Sequence, residues 1–485
     1  MVDTGSTDRT KEIALGFGAK VFDFAWVDSF SAARNECLKH ATGDWIFWMD
    51  ADDRIDAENH EKLRSLFAGL RDPLSRPIAQ NGRVDVAGRA PSSPAPDACW
   101  LSATSSFTGA CLPSTASVDA WVMICRCLPN PNSGTTTEVH HVRVFRNHPQ
   151  IRWEFRVHEQ ILGSVRRMGG TPRFTDIVIC HTGYQDAKLR QRKSQRDLRL
   201  LEMEYTEQPD HPFTLFNLGS SYLELQRAAE ALPLLEMSLA RSETGDSIVR
   251  KLHYLIVQCY RQMKEPAKAL DACQRGRTHY ANDAELLAQE AILRGEQNDF
   301  AGAEACYRQL LVHRETDHFA SVPVGLNGYL TRHNLAALYM KQGRPSEAEV
   351  QWRAAVAEQP EFLPSWYALE DFYLSQQRWA DLEDAAEGLA RTNGGAVQAI
   401  VSRARCHLAR REFAEAKSLL AEAIAGDPTA LRPRLLLSHV LLQENADPQA
   451  AEQALLNVLE LDPEHAEAQR NLAILRERPH ASTCI

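Results

Sequence analysis

The sequence predicts two architectures in series: an α/β domain at the start and an all-α array of helical hairpins over the second half. Three observations carry this. Up to residue 53, short apolar runs alternate with helical stretches and turn-forming residues. From Pro209 onward, small residues return at intervals near 34. The length, 485 residues, exceeds what one compact core holds, so more than one domain is expected.

In order along the chain, Val2 is strand-like and leads into Asp3-Thr4-Gly5-Ser6-Thr7-Asp8, a run of small and turn-forming residues. A helix is expected from about Arg9 to Leu15, capped by Ser6, Thr7 or Asp8 and ended by Gly16 and Gly18. Lys20 to Trp26 alternates as a strand, Ser31 to His40 reads as a second helix closed by Gly43, and Trp45 to Met49 is an apolar run of strand length. This rhythm is that of a parallel sheet covered by helices, in which ligands bind beyond the carboxyl ends of the strands. Two acidic groups fall at such ends, Asp3 after the first strand and Asp50-Ala51-Asp52-Asp53 after the third. Hard carboxylate oxygens presented together suit Mg2+ or Mn2+; the plainer reading is that Asp50 to Asp53 caps the next helix.

Three ordered segments, Val2 to Thr10, Phe30-Ser31-Ala32-Ala33-Arg34-Asn35-Glu36, and Gly43 to Asp53, resemble successive signatures of family 2 glycosyltransferases of the GT-A fold. The resemblance implies a Rossmann-like nucleotide-diphospho-sugar transferase domain. It places Asp3 near the base or ribose of the donor, with Arg34, Asn35 and Asp50 lining the same pocket, and gives Asp50 and Asp52 the metal that bridges the diphosphate. For Arg34 the alternative is a surface charge on a helix. A complete domain of this type has a strand and helix before the Val-Asp-Thr-Gly-Ser segment, so the resemblance also implies a domain lacking that first strand and helix.

From about Pro73 to Val118, Ser, Ala, Pro and Gly dominate without a period, and a disordered insertion is expected at 73–118. Glu138 to Phe145 then reads as a strand, Ile151, Trp153, Phe155 and Val157 alternate as the next, and Asp176 to Cys180 forms another. By position, Val157-His158-Glu159 resembles the acidic catalytic motif of the GT-A core and His181 its metal-ligand histidine. Glu159 is therefore the expected general base, His158 can exchange roles with it, and His181 is the expected third metal ligand. The alternative for Glu159 is a strand-end acid paired with Arg143, Arg146, Arg152 or Arg156; for His181 it is a hydrogen-bonded structural residue. Ala187 to Tyr205 reads as a charged amphipathic linker helix that includes Lys193.

In the second half, Ala231, Ala269, Ala303, Ala348, Leu382, Ala416 and Ala451 lie 38, 34, 45, 34, 34 and 35 residues apart. The period is that of tetratricopeptide (TPR) repeats, in which small residues at helix crossings let paired helices approach and stacked hairpins share a core. About seven units are expected, and the 45-residue step contains a longer loop from Thr316 to Gly328. The expected boundaries are 1–185 for the α/β domain, 186–208 for the linker helix, 209–478 for the repeats and 479–485 for a frayed tail.

A net charge of −10 argues against sequence-independent nucleic-acid binding, and no run of about 18 apolar residues is present, so no membrane span is expected. Eleven scattered cysteines without a C-x-x-C pair, and no leader-like start, point to the cytoplasm. The reading that follows is an inverting, metal-dependent glycosyltransferase. It would move a sugar from a nucleotide-diphosphate donor to an acceptor, a peptide or protein, recruited by the repeats. The alternative is a TPR interaction scaffold carrying an inactive transferase remnant.

Overall fold

The computed structural model describes residues 1–71, 119–128, 136–183, 186–243, 245–313, 318–393 and 395–477. The expected insertion at 73–118 and the tail at 479–485 lie outside the described residues. Packing divides the chain into two compact units. Met1–Asn298 with His313–Leu326 form the first, and Asp299–Val312 with the chain from Asn327 onward form the second. The first unit thus takes in the α/β region, the helix expected as a linker and the first helices of the array.

In the first unit, β1 (Val2–Asp3), α1 (Thr10–Gly16) and β2 (Phe22–Asp23) make a small parallel pair with a helical crossover. α2 (Phe30–Lys39) begins at Ser29, whose hydroxyl accepts a hydrogen bond from Ala32 N. The main sheet uses β3 (Trp45–Phe47), β4 (Asp53–Arg54), β5 (Ala120–Cys127), β6 (Thr137–Arg146) and β7 (Pro172–His181), in the order β3-β6-β5-β7-β4. α3 (Ala57–Arg71) and α4 (Leu162–Arg167) complete the region.

The sheet is mixed and differs from the parallel one expected. β3 pairs antiparallel with the long β6, which supplies its backbone partners, while β1 and β2 pair with each other. Alternation along β5 serves both faces. Ala120 and Val122 join a core with Phe145, Ile151 and Val165, whereas Trp121 and Met123 pack with Ile177, Ile179 and Leu63 of α3.

Two further expectations are corrected. Ile151 to Val157 is not a strand. Phe155 and His158 adopt positive φ of 71° and 54°, so the chain turns back on itself, and an isolated bridge joins Glu154 to Gln160. Its apolar alternation reflects burial of Ile151, Trp153 and Val157 rather than extended pairing. The loop expected at 316–328 carries, in its described part, β8 (Val322–Pro323), which pairs antiparallel with β6 at Glu138 and Thr137.

α5 (Ala187–Glu207) is the expected linker helix, and it is built in rather than bridging. Leu200 and Leu201 are buried with Val157 and Leu218. α6 (Pro212–Glu224), α7 (Ala228–Arg241), α8 (Val249–Gln262), α9 (Pro266–His279) and α10 (Ala284–Glu296) follow as successive antiparallel neighbours. A Cβ on Gly219 of α6 would lie 2.8 Å from Leu235 of α7, so the small residue is what admits the large one.

The second unit is all helical: α11 (Phe300–Val312), α12 (Tyr329–Lys341), α13 (Pro345–Glu358), α14 (Leu363–Ser375), α15 (Trp379–Ala390), α16 (Gly395–Ala409), α17 (Phe413–Gly426), α18 (Leu431–Glu444), α19 (Pro448–Leu461) and α20 (Ala466–Glu477). Across both units the seven periodic positions, Ala231 to Ala451, are each at most 2% exposed, as their role at helix crossings requires. Inside each hairpin the turn passes through a left-handed residue: Gln226, Lys264, Asn298, Gly343, Gln377, Arg411 and Asn445. Geometry repeats here where residue type does not. Among the described residues no helix is long and apolar enough to cross a membrane.

Candidate functional site

A cleft of about 1080 Å3 opens in the first unit, with the ends of β3, β4 and β7 on one side. Antiparallel pairing of β4 with β7 sets Asp53 opposite His181, and Thr182 N and Oγ1 both donate to Asp52 O, at 3.0 and 2.9 Å. The strand ends are thereby sewn together. Ligand-type atoms of Asp50, Asp52, Asp53 and His181 all lie within 4.8 Å of one another.

Within this group Asp53 differs from its neighbours. Its side chain is fully buried, its Oδ2 accepts from Arg143 Nη1 and from Asp50 N, both at 2.8 Å, and its Oδ1 faces His181 Nδ1 at 3.1 Å. Burial opposes its ionisation, but the His181 hydrogen bond and the Arg143 charge outweigh that and hold the carboxyl below the usual range. In return the hydrogen bond to Asp53 raises the His181 pKa against desolvation. His181 is also 3.5 Å from Asp52 Oδ1, and Lys193 Nζ is 3.4 Å from Asp52 Oδ2. Gly183 closes the site: a Cβ there would stand 2.0 Å from Asp52 Oδ2 and 2.9 Å from both His181 Nε2 and Lys193 Nζ.

Arg34 joins this cluster to the expected base. Its Nη2 donates to Asp50 Oδ1 at 2.8 Å and its Nε pairs with Glu159, while the guanidinium lies 4.3 Å from the Trp48 ring centroid and 5.1 Å from that of Trp153. Contact with both indoles, whose rings meet edge to face at 5.0 Å, restrains the guanidinium and so the aim of both carboxylates. Glu159 is therefore arginine-paired, but by Arg34 rather than by the arginines near it in sequence. His158 lines the cleft at the left-handed turn.

Two expected pocket residues sit elsewhere. Asn35 is not among the residues lining the cleft. Its amide grips the backbone of Trp153, Oδ1 accepting from N and Nδ2 donating to O, both at 2.9 Å. It holds the 151–160 turn that carries Glu159. Asp3 is likewise outside the lining; its Oδ2 accepts from Gly5 N and Ser6 N at 3.1 and 3.0 Å, with Lys11 at 3.6 Å.

Arg143, Trp48, Trp153 and Lys193 also join the site, although the sequence offers Arg143 only as a partner for Glu159 and Lys193 only as a charge on the linker helix. Arg143 carried a usable signal: a charge between Val142 and Val144 in a buried strand requires a buried partner. Its guanidinium also lies 3.9 Å from the Trp48 ring centroid.

Residues 1–74 match the glycosyl transferase family 2 model, and residues 330–358 and 440–478 match tetratricopeptide repeat models. The chain thus carries a family 2 glycosyltransferase segment followed by TPR repeats. A TPR repeat-containing protein of Synechococcus elongatus is 27% identical over 281 residues, covering 56% of this chain and 58% of the relative. The SPbeta prophage-derived glycosyltransferase SunS of Bacillus subtilis is 21% identical over 242 residues, covering 49% and 46%. This chain therefore spans about half the length of the curated relatives it matches. Among solved structures, yeast Tom70 aligns with 60% of this chain and 59% of its own at 12% identity and a TM-score of 0.42. A tetratricopeptide repeat protein from Parabacteroides merdae aligns with 55% and 98% at 11% identity and 0.39.

Proposed function

We propose that the chain is an inverting, metal-dependent glycosyltransferase that moves a sugar from a nucleotide-diphosphate donor to a peptide or protein acceptor. The observation that carries this is the convergence of Asp50, Asp52 and His181 beside the Arg34–Glu159 pair in one cleft, within a chain whose start matches family 2 transferases. Asp50, Asp52 and His181 are the residues that would hold Mn2+ or Mg2+. Asp53 acts as their anchor, since both of its oxygens are engaged by Arg143, Asp50 N and His181. A divalent ion bound there offsets the charge on a departing diphosphate.

The acceptor nucleophile attacks the anomeric carbon, the bond from that carbon to the diphosphate oxygen breaks, and the acceptor proton passes to Glu159. Arg34 holds Glu159 aimed for that step. The scattered cysteines form no disulfide among the described residues, which supports a reducing compartment such as the cytoplasm.

Titration of the full chain with Mn2+ by calorimetry, and hydrolysis of UDP- and GDP-sugars in its presence, test the reading. Asp52→Ala is expected to abolish measurable Mn2+ binding and to lower hydrolysis at least about 100-fold. Equal behaviour of the two proteins would overturn the metal assignment. Absence of donor hydrolysis in the parent would favour an interaction scaffold with an inactive transferase segment.

A further inference from the structure

The cleft has a second wall that belongs to the helical array. Opposite the acidic cluster it is lined by Phe213 and Phe216 of α6, Tyr254 and Leu255 of α8, and Phe319 and Ala320 of the segment that runs into β8. That segment comes from far along the chain, yet it is tied to the α/β region at three points. β8 pairs with β6, His140 Nδ1 donates to His318 O at 2.9 Å, and the rings of Phe319 and Phe174 are 5.4 Å apart. On its other side Lys251 Nζ donates to Ser321 O at 2.9 Å while gripping both Glu285 oxygens at 2.6 and 2.7 Å. The 318–323 segment is therefore a fixed part of the cleft wall, positioned by the sheet and by α8 together.

From this wall we infer the acceptor's chemistry: a peptide carrying an aromatic or large aliphatic side chain next to the residue that receives the sugar. The inference rests on the transferase reading above. Charge on the wall is confined to Lys251, bound to Glu285, and Glu224, so it offers an acidic or basic segment little to pair with. Half-buried Phe213, Phe216, Tyr254 and Phe319 gain from covering by an apolar side chain, while Ser220, Ser247 and Ser321 of the same wall offer hydrogen-bond partners to a peptide backbone. The cleft is also larger than an ordinary small-ligand pocket, and it is continuous with the acidic cluster, so donor and acceptor segment fit in it together. The repeats thus supply a selecting surface within reach of the reacting atoms.

The test uses the full chain with Mn2+ and a nucleotide sugar that it hydrolyses. The acceptor probes are synthetic peptides with a central Ser, Thr or Cys flanked by Phe and Leu, by Gly, or by Asp, and, as a separate arm, oligosaccharides. The parent is expected to show a kcat/KM for Phe- and Leu-flanked peptides about tenfold above that for Gly-flanked ones. Phe319→Ala and Phe216→Ala should each bring that ratio towards one, chiefly through the KM of the apolar-flanked peptides. Lys251→Met, which frees Ser321 and also removes the cation from Glu285 and from the Tyr254 ring, should act in the same direction. Thermal melts of each variant report folding separately. Indifference of the parent to the flanks or retention of its preference in the variants would overturn the inference and leave the transferase reading intact, whereas transfer confined to oligosaccharides would overturn the inference together with the peptide acceptor of that reading and leave only sugar transfer. Failure of the parent to hydrolyse any donor would remove both.

Discussion

The α/β region and the helical array both bury carboxylates against arginine, and they do so to different ends. In the array, Glu370 is fully buried between Arg405 and Arg432, and Glu290 is held by Arg277 and Arg294. Each such acid meets two guanidiniums from its own or neighbouring helices, so its charge closes on itself. In the α/β region a single guanidinium, that of Arg143, meets Asp53, and Asp50, Asp52 and His181 converge around that pair at the lip of a cleft. A buried ion pair is therefore no mark of a site. What distinguishes the α/β cluster is that three acids and a histidine bring ligand-type atoms to one point in space at the lip of a cleft.

That contrast can be broken most forcefully at Arg143. Arg143→Met takes the guanidinium from buried Asp53 and leaves it only His181 and Asp50 N, and a loss of about 3–5 kcal/mol in the denaturant-measured stability of the first unit is expected. A loss below about 1 kcal/mol would mean that the pair does not anchor the sheet ends. Gly183→Ala is expected to act on binding rather than folding. Its Cβ would overlap Asp52 Oδ2, so Mn2+ affinity by calorimetry should fall about 10–100-fold with little change in the melting curve. The same substitution at Gly245, which has nothing within 4 Å of its Cβ, serves as the neutral control.

The ease with which each region could be read from sequence follows the same division. Repetition made the array legible: a small residue at each helix crossing produces the interval near 34, and Ala231 through Ala451 are buried where that interval places them. The acidic motif was legible for a related reason, because Asp50 and Asp52 are only two positions apart in sequence and His181 ends a recognisable strand. Pairings between distant segments were not legible. Nothing local in Trp45 to Phe47 says that its partner is β6, so a parallel sheet was expected and a mixed one is found. Ile151 to Val157 alternates as a strand would, but left-handed Phe155 and His158 turn it into a loop. Asn35 looked like a pocket residue because its role, a two-point grip on Trp153, depends on a segment 118 residues away.

Within the array the comparison sharpens at positions that repeat. Ala416 is fully buried at a crossing, so Ala416→Leu should overpack it and cost about 1–3 kcal/mol in the second unit, while Mn2+ affinity stays at the parent value. Loss of Mn2+ affinity in that variant would show that the array's packing and the acidic cluster are coupled.

The smallest effect comes from the hairpin turns and has the opposite sign. Seven turns use the left-handed region, one with glycine at Gly343 and two with asparagine at Asn298 and Asn445. The remaining four, including exposed Arg411 at φ 62°, put a side chain where its Cβ crowds the following carbonyl. Glycine relieves that crowding but makes the unfolded chain more flexible, and the two terms partly cancel. Arg411→Gly should therefore stabilise the second unit by only about 0.5 kcal/mol, and Gly343→Ala should destabilise it by about 1 kcal/mol. Matching signs for the two substitutions would mean that the turns are not equivalent, and that the period in the sequence describes the helix crossings alone.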